Sequence, residues 1–179
     1  KWYASFTITT PDPPIASVAP DNLVGIDIGL KTWAVISDGT TIANPRFLRR
    51  TERKLRHAQR KLSRQVKGSE RWKRQKGRIS RLYAQVANRR KHWSHLHSRR
   101  IADLYDAVCI ESHSLLGQAQ SPLAKSVHDA GHGAFRSFLK YKLPDRGKQC
   151  VEAEPFFPSS KTCSQCGHVF QGLTKRHRK

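Results

Sequence analysis

Asp27 stands in the run Leu23-Val24-Gly25-Ile26-Asp27-Ile28-Gly29-Leu30-Lys31, where residue character alternates with period two. Val24, Ile26 and Ile28 are expected on one face of a half-buried strand, with Gly25, Asp27 and Gly29 on the other. The flanking glycines leave space above the carboxylate, and a phosphate or a hydrated metal ion needs such space. Far downstream, Ala107-Val108-Cys109-Ile110-Glu111 is a short apolar run that ends in a second carboxylate, the pattern of a buried strand in a central sheet. If the two strands meet so that Asp27 and Glu111 share a face, the pair could hold Mg²⁺ ions that activate water and stabilise the leaving oxygen in phosphodiester cleavage. The competing reading of Glu111 is a strand-end residue that is merely solvated or salt-bridged.

A second candidate chemistry lies near the end of the chain, at Cys163-Ser164-Gln165-Cys166-Gly167. Cys-x-x-Cys-Gly is half a zinc knuckle: the turn aims two thiolates at one Zn²⁺, and the glycine lets the backbone curl beneath it. The other two ligands do not follow at the usual spacing. His168 and His177 are the remaining donors, in an unusual geometry, and a reduced metal-free thiol pair is the alternative. The other two cysteines, Cys109 and Cys150, lie in predicted strands, and disulfides are not expected.

The elements that must position these groups follow from the pattern. Thr32–Ser37 is an apolar run ending at Asp38-Gly39, Thr40–Ala43 is an expected third strand, and Asn44-Pro45 ends it. From Arg46 to Arg100 the chain holds 21 lysines and arginines against two acids, Glu52 and Glu70, which leaves this segment +19 of the formal +21. Leu48, Leu55 and Leu62 recur every seven residues, as do Trp72, Ile79, Val86 and Trp93, with Leu82 and Leu96 expected in the second seam position. Between the two sets, Gly68 stops one helix and Ser69 caps the next. The segment is therefore predicted to be an antiparallel helical hairpin with cationic outer faces, an arm inserted over residues 46–104. Ser112 to Lys125 reads as a polar loop, Val127 to Lys142 as an amphipathic helix packed on the sheet, and Lys148–Ala153 as a further short strand. Strands and helices alternating around one sheet make an α/β domain over residues 23–154.

Ordinary solvated helices mix both signs of charge, and this arm has almost none of one sign. Nucleic-acid contact through phosphates is the expected consequence, with little base specificity and a steep loss of binding in salt. The candidate contacts are Arg49, Arg50, Arg53, Lys54, Arg60, Lys61, Arg71, Lys73, Arg74, Lys76 and Arg78. No apolar run approaches a membrane span and no signal peptide opens the chain, so a soluble cytoplasmic protein is expected. Residues 1–10 alternate like a strand without a neighbour, and 11–22 form a proline-rich connector.

These pieces together resemble the TnpB (OrfB) proteins of insertion sequences, relatives of compact type V CRISPR effector nucleases. The resemblance is carried by Gly25–Lys31, Leu48-Arg49-Arg50, Ile110-Glu111-Ser112, Ser126–Asp129 with Phe135, and above all Pro155-Phe156-Phe157-Pro158-Ser159-Ser160-Lys161-Thr162-Cys163-Ser164-Gln165-Cys166-Gly167. It implies an RNase H-like (RuvC) mixed sheet with an inserted basic helical hairpin and a partial zinc ribbon over 155–179. It also implies Asp27 and Glu111 as catalytic Mg²⁺ ligands, Cys163 and Cys166 as zinc ligands, and DNA and a guide RNA as partners. Residues 1–10 would be the end of an upstream barrel. The family pattern continues with a second Cys-x-x-Cys and a third catalytic Asp, whereas no acid follows Glu154 here. Accordingly the chain is expected to be a fragment, or the product of a gene truncated or frameshifted near Gly172.

Three functions compete on these residues. One is an incomplete piece of an RNA-guided, metal-dependent DNA endonuclease, and another is a non-cleaving nucleic-acid-binding remnant or regulator. The third, a general RNA-binding protein, leaves the two carboxylates and the Cys-x-x-Cys unexplained.

Overall fold

A computed structural model of the chain describes residues 22–111 and 122–153, the shorter stretches 4–9, 161–163 and 165–170, and positions 2, 11, 13, 14, 19 and 172. The period-two run forms β1 (Leu23–Ile28), followed by β2 (Thr32–Ile36) and β3 (Thr41–Ala43). The basic segment forms α1 (Phe47–Ser63) and α2 (Glu70–Leu104), and the second apolar run forms β4 (Ala107–Ile110). Two short helices, α3 (Ala124–Ala130) and α4 (His132–Lys142), lead through a 3₁₀ turn at Pro144–Arg146 to β5 (Gln149–Glu152). The strands make one five-stranded sheet in the order β3-β2-β1-β4-β5. β1 pairs antiparallel with β2, and parallel with β4, which in turn runs parallel to β5.

One face of this sheet is dry. Val24, Ile26, Ile28, Ile36, Val108 and Ile110 join Ile101 and Ala102 of α2 and Phe135, Leu139 and Leu143 from the α4 side in a single core. Trp33 is its anchor, with no exposed surface. The β2–β3 pairing slips between Thr32 and Ala34, and such an irregularity re-aims a side chain, so that Trp33 and Ala34 are both buried although they are neighbours in a strand. The Trp33 indole N–H donates to the Ala130 carbonyl at 2.8 Å, and its ring lies 4.6 Å from Phe135 and 6.2 Å from Trp93. The other face is uncovered among the described residues: Asp27 and Cys109 are exposed, and Val35 and Val151 keep 37% and 52% of their surface. The strand containing Cys109 is thus buried on one side only, not on both.

The two arm helices meet as the heptads require. Leu55, Ala58 and Ile79 are buried against Leu48, Leu62 and Leu82. Ser69 caps α2 by accepting from the Trp72 N–H at 3.2 Å, after Gly68 at φ 86°. The seam does not reach the far end of α2, where Leu96 is half exposed and Trp93 joins the sheet core instead. The reason is a change of partner. α1 has only 17 residues against 35 in α2, so the second half of α2 packs on β-sheet and α4 with a different face inward.

Three further expectations are corrected. Val127–Lys142 is not one helix, because Gly131 at φ 68° ends α3 and starts α4 in a left-handed conformation that continues no helix. Residues 4–9 take no strand and are exposed. Gly29 does not hold space open above Asp27; a Cβ there would lie 2.9 Å from the Thr32 carbonyl, so the glycine serves the β1–β2 turn, whereas Gly25 does face open space. The expected loop at 112–121, most of the connector at 11–21, residues 154–160 and His177 lie outside the described residues.

Candidate functional site

The register between β1 and β4 decides where the two carboxylates go. Leu23 pairs with Ala107, Val24 with Val108, Gly25 with Cys109 and Ile26 with Ile110. In parallel strands paired residues point to the same side, so this face carries Gly25 beside Cys109, and the residues that follow the last pair, Ile26 and Ile110, are Asp27 on β1 and Glu111 just past β4. Neighbouring strands lie about 4.8 Å apart, a spacing at which carboxylates on paired residues of adjacent strands can share one ion. The Asp27 side chain is exposed and makes no hydrogen bond or ion pair among the described residues, and Glu111 is half-buried just past the end of β4. Both sit at the C-terminal edge of the parallel strands. On the β2 side the opposite residue is Val35, and the β1 backbone there is pinned to Ser37, which accepts from the Gly25 N–H at 3.0 Å and donates its own N–H to the Gly25 carbonyl at 2.9 Å.

Along the arm, α1 and α2 enclose a groove of about 560 Å³. Arg53, Lys54, Arg56, Arg60, Lys61 and Arg78 line it with His57, over a floor of Ala58, Gln75 and Leu82, and no acid among the described residues lines it. Gln75 is held in place by donating to the Ala58 carbonyl at 2.8 Å, which ties α2 to α1 beneath the cations. This arrangement gives a strip of fixed positive charge on a rigid floor, suited to successive phosphates.

The Cys-x-x-Cys turn is a small hairpin closed by the Thr162–Val169 bridge. Gly167 at φ 71° donates to the Cys163 carbonyl at 2.9 Å, and Cys163 donates to the His168 carbonyl at 2.9 Å. The backbone N–H groups of Cys166 and then Gln165 point at the Cys163 sulfur and hold its thiol below the ordinary range. Both cysteines are exposed. His168 does not gather with them; among the described residues no group of three His, Cys, Asp or Glu side chains is placed to share a metal.

The sequence profile of OrfB_IS605, described as "Probable transposase", matches residues 5–114. The chain belongs to this OrfB (TnpB) family. A second profile, the "Cas12f1-like, TNB domain", matches residues 132–179. The OrfB chain is 33% identical over 170 residues to a "Putative RNA-guided DNA endonuclease" of Streptomyces pristinaespiralis, covering 94% of itself and 42% of that relative. It is 33% identical to the "Putative RNA-guided DNA endonuclease InsQ" of Escherichia coli K12 and 35% to that of Mycobacterium tuberculosis named MT2953, covering 46% and 39% of their lengths. The chain therefore spans less than half of the curated relatives it matches. Its fold is similar to part of a chain in the "Cryo-EM structure of the Cas12f1-sgRNA-target DNA complex", with TM-score 0.59 at 20% identity over 93% of this chain and 35% of that one.

All eleven basic residues singled out from the OrfB sequence are exposed. Arg53, Lys54, Arg60, Lys61 and Arg78 share the arm groove, Arg49 lines a different cavity at the root of the arm, and Lys73 is engaged by Glu70 at 2.8 Å. Arg50, Arg71, Arg74 and Lys76 line neither. Sequence reasoning missed Arg56 and His57 in the groove, and it missed Asp129. That carboxylate, 9% exposed, accepts from the Leu48 N–H at 2.8 Å and the Arg49 N–H at 3.3 Å, and from Arg90 at 2.9 Å. It thereby supplies from α3 the cap that α1 lacks at its own N-cap residue, Arg46.

Proposed function

We propose that the chain is the catalytic-sheet portion of an RNA-guided DNA endonuclease, in which an RNase H-like (RuvC) sheet offers two metal-binding carboxylates and the arm holds the nucleic acid. The observation that supports this reading is the parallel β1–β4 register, paired as far as Ile26 and Ile110, from which Asp27 and Glu111 are the next residues, with Asp27 exposed on a sheet face that no helix of the described residues covers. The donor set suits Mg²⁺, a hard cation that is commonly bound by one or two carboxylates and takes its other oxygens from water and substrate phosphate. Bound there, Mg²⁺ would supply charge stabilisation of a phosphodiester and a more acidic water. Asp27 and Glu111 would hold the ion, the open face would admit the strand, and the arm groove would keep the polyanion in place through its phosphates. DNA and guide RNA are the partners, as the names of the relatives suggest. Cys163 and Cys166 would hold half of a structural Zn²⁺ site, a reading supported by the tight turn that the Gly167 N–H closes on the Cys163 carbonyl.

A second reading, a non-cleaving nucleic-acid binder, is favoured by one observation: no third carboxylate joins the pair among the described residues. The test is Mg²⁺-dependent cleavage of labelled single-stranded and duplex DNA by the chain purified with the RNA it captures on co-expression. Cutting that disappears in Asp27→Ala and in Glu111→Ala, with binding retained, establishes the endonuclease reading. Salt-sensitive binding with no cutting at any Mg²⁺ concentration establishes the binder.

A further inference from the structure

At the root of the arm, a cavity of about 500 Å³ opens between the β1–β2 turn, the first turns of α1 and the start of α3. Four cationic side chains, Lys31, Arg46, Arg49 and Lys125, line it against two carboxylates, Glu52 and Asp129. Both acids are already engaged. Glu52 pairs with Lys125 at 2.5 Å and with Arg56 at 3.2 Å, while Asp129 is taken up by Arg90 and the α1 amides. Lys31, Arg46 and Arg49 have no acidic partner among the described residues. Because Asp129 occupies the first amides of α1, an anion entering here meets side-chain cations and not a helix terminus.

The backbone that presents these cations is held in an uncommon conformation. Arg46 lies at φ 48°, ψ 52°, and it is the one non-glycine residue with positive φ among the described residues. Such a conformation persists only where the surroundings impose it, and it concentrates at sites where a side chain must be aimed. Asn44 imposes it: its side-chain carbonyl accepts from the Arg46 N–H at 3.1 Å, and its amide donates to the Leu30 carbonyl at 2.8 Å. One side chain thus ties Arg46 to the turn that carries Lys31. That turn follows β1 directly, so Lys31 sits four residues past Asp27, at most about 13 Å away at a strand's rise of roughly 3.3 Å per residue, and at the same sheet edge as Glu111.

We infer that this cavity seats one backbone phosphate of the DNA strand that passes the Asp27–Glu111 face, held by Lys31, Arg46 and Arg49. The inference rests on the nucleic-acid reading above and adds a second, nearer anchor to the arm groove. It is tested by the anisotropy of a labelled single-stranded DNA 20-mer titrated with the full chain at several salt concentrations. Losing one phosphate contact flattens the log–log salt slope by about 0.7 on a single strand, and that is the change expected for Lys31→Gln combined with Arg46→Gln. Arg46→Gly separates charge from structure: the glycine accepts the left-handed backbone, so the thermal midpoint is unchanged or higher while the slope still flattens. If the arm variant Arg53→Gln, Arg60→Gln, Arg78→Gln flattens the slope and the cavity variants do not, the phosphate seat is overturned and the arm reading survives. If neither set changes the slope, both fall. The inorganic phosphate arm of the experiment distinguishes a free-anion site. Saturable binding of inorganic phosphate that requires Lys31 and Arg46, with an unaltered DNA slope in their absence, overturns the backbone assignment.

Discussion

Asp129→Ala is the substitution that most directly loosens the arm from the sheet. The native carboxylate takes two amide N–H groups of α1 and two guanidinium N–H groups of Arg90, so one side chain on α3 holds the start of one arm helix and the middle of the other. Removing an N-cap acceptor costs about 1 kcal/mol. The Arg90 side chain keeps 25% of its exposure, so it regains part of its hydration, and losing its charge-assisted bonds costs about 2 kcal/mol and not the ~3–5 of a wholly buried pair. The expected total is about 3 kcal/mol, a large share of the ~5–15 kcal/mol that stabilises a typical domain. Urea unfolding should show it as a lower midpoint with an unchanged slope. Native-state hydrogen exchange should show where: Leu48 and Arg49 lose amide protection, while Val108 and Ile110 in the central strand keep it up to the global limit. Asp129→Asn, which retains one acceptor, should fall between. A variant within about 0.5 kcal/mol of the native chain, a scale typical of surface changes, or unaltered exchange at Leu48 and Arg49, would refute the reasoning.

Burial between Trp33 and Trp93, and then repulsion from Arg100, push the His97 imidazole below its ordinary value near 6.5. Its contribution to stability is therefore complete above about pH 6.5 and is lost as the pH falls from there through the folded-state value, and His97→Phe should remove that part of the pH dependence of urea unfolding. Cys163, with its thiol lowered by two backbone N–H groups, should react with iodoacetamide at pH 7 before Cys150, whose thiol burial pushes up, and Zn²⁺ should protect Cys163 and Cys166 together; peptide mapping that finds Cys150 modified first refutes this. Gly77 lies inside α2, and a methyl group added there would meet nothing within 4 Å, so Gly77→Ala should raise stability by about 0.5–1 kcal/mol without altering the salt slope of DNA binding.

The strands and the arm that carry the proposed functional groups were largely readable from residue pattern, and the groups that hold those elements in place were not. Val24, Ile26 and Ile28 gave β1 its period of two and Val108 to Ile110 gave β4 its continuous run, so the sides of Asp27 and Glu111 followed once the strands were neighbours. That they are neighbours is a matter of topology, which periodicity does not encode. Leu55, Ile79 and the cap at Ser69 announced the hairpin. Leu96 misled because a heptad describes one partner, and α2 has two. Gly131 was visible, but apolar positions on both sides kept a helical spacing across it, and only the left-handed φ shows the break. Asp129 left almost no trace, since the cap it supplies to α1 comes from about 80 residues away. The one local hint was negative: Arg46 occupies a cap position with no side chain able to accept from the helix.

On the nucleic-acid reading proposed above, the length and continuity of α2 let a separate arm and sheet serve one polyanion. At 35 residues the helix is about 50 Å long. Its first half contributes to the floor of the arm groove through Gln75 and Leu82, and its second half is built into the sheet core through Ile101 and Ala102. Because those contacts are made by one unbroken helix, the groove cannot shift relative to Asp27 without bending α2 or unpacking Trp93 from Trp33. Arg90, between the two halves, is where Asp129 fastens α2 to the start of α1. A strand lying from the groove to the sheet edge therefore meets cations whose spacing is already set. The entropy of ordering them has been met in folding and not in binding, so the same number of phosphate contacts yields tighter association than it would on a hinged arm.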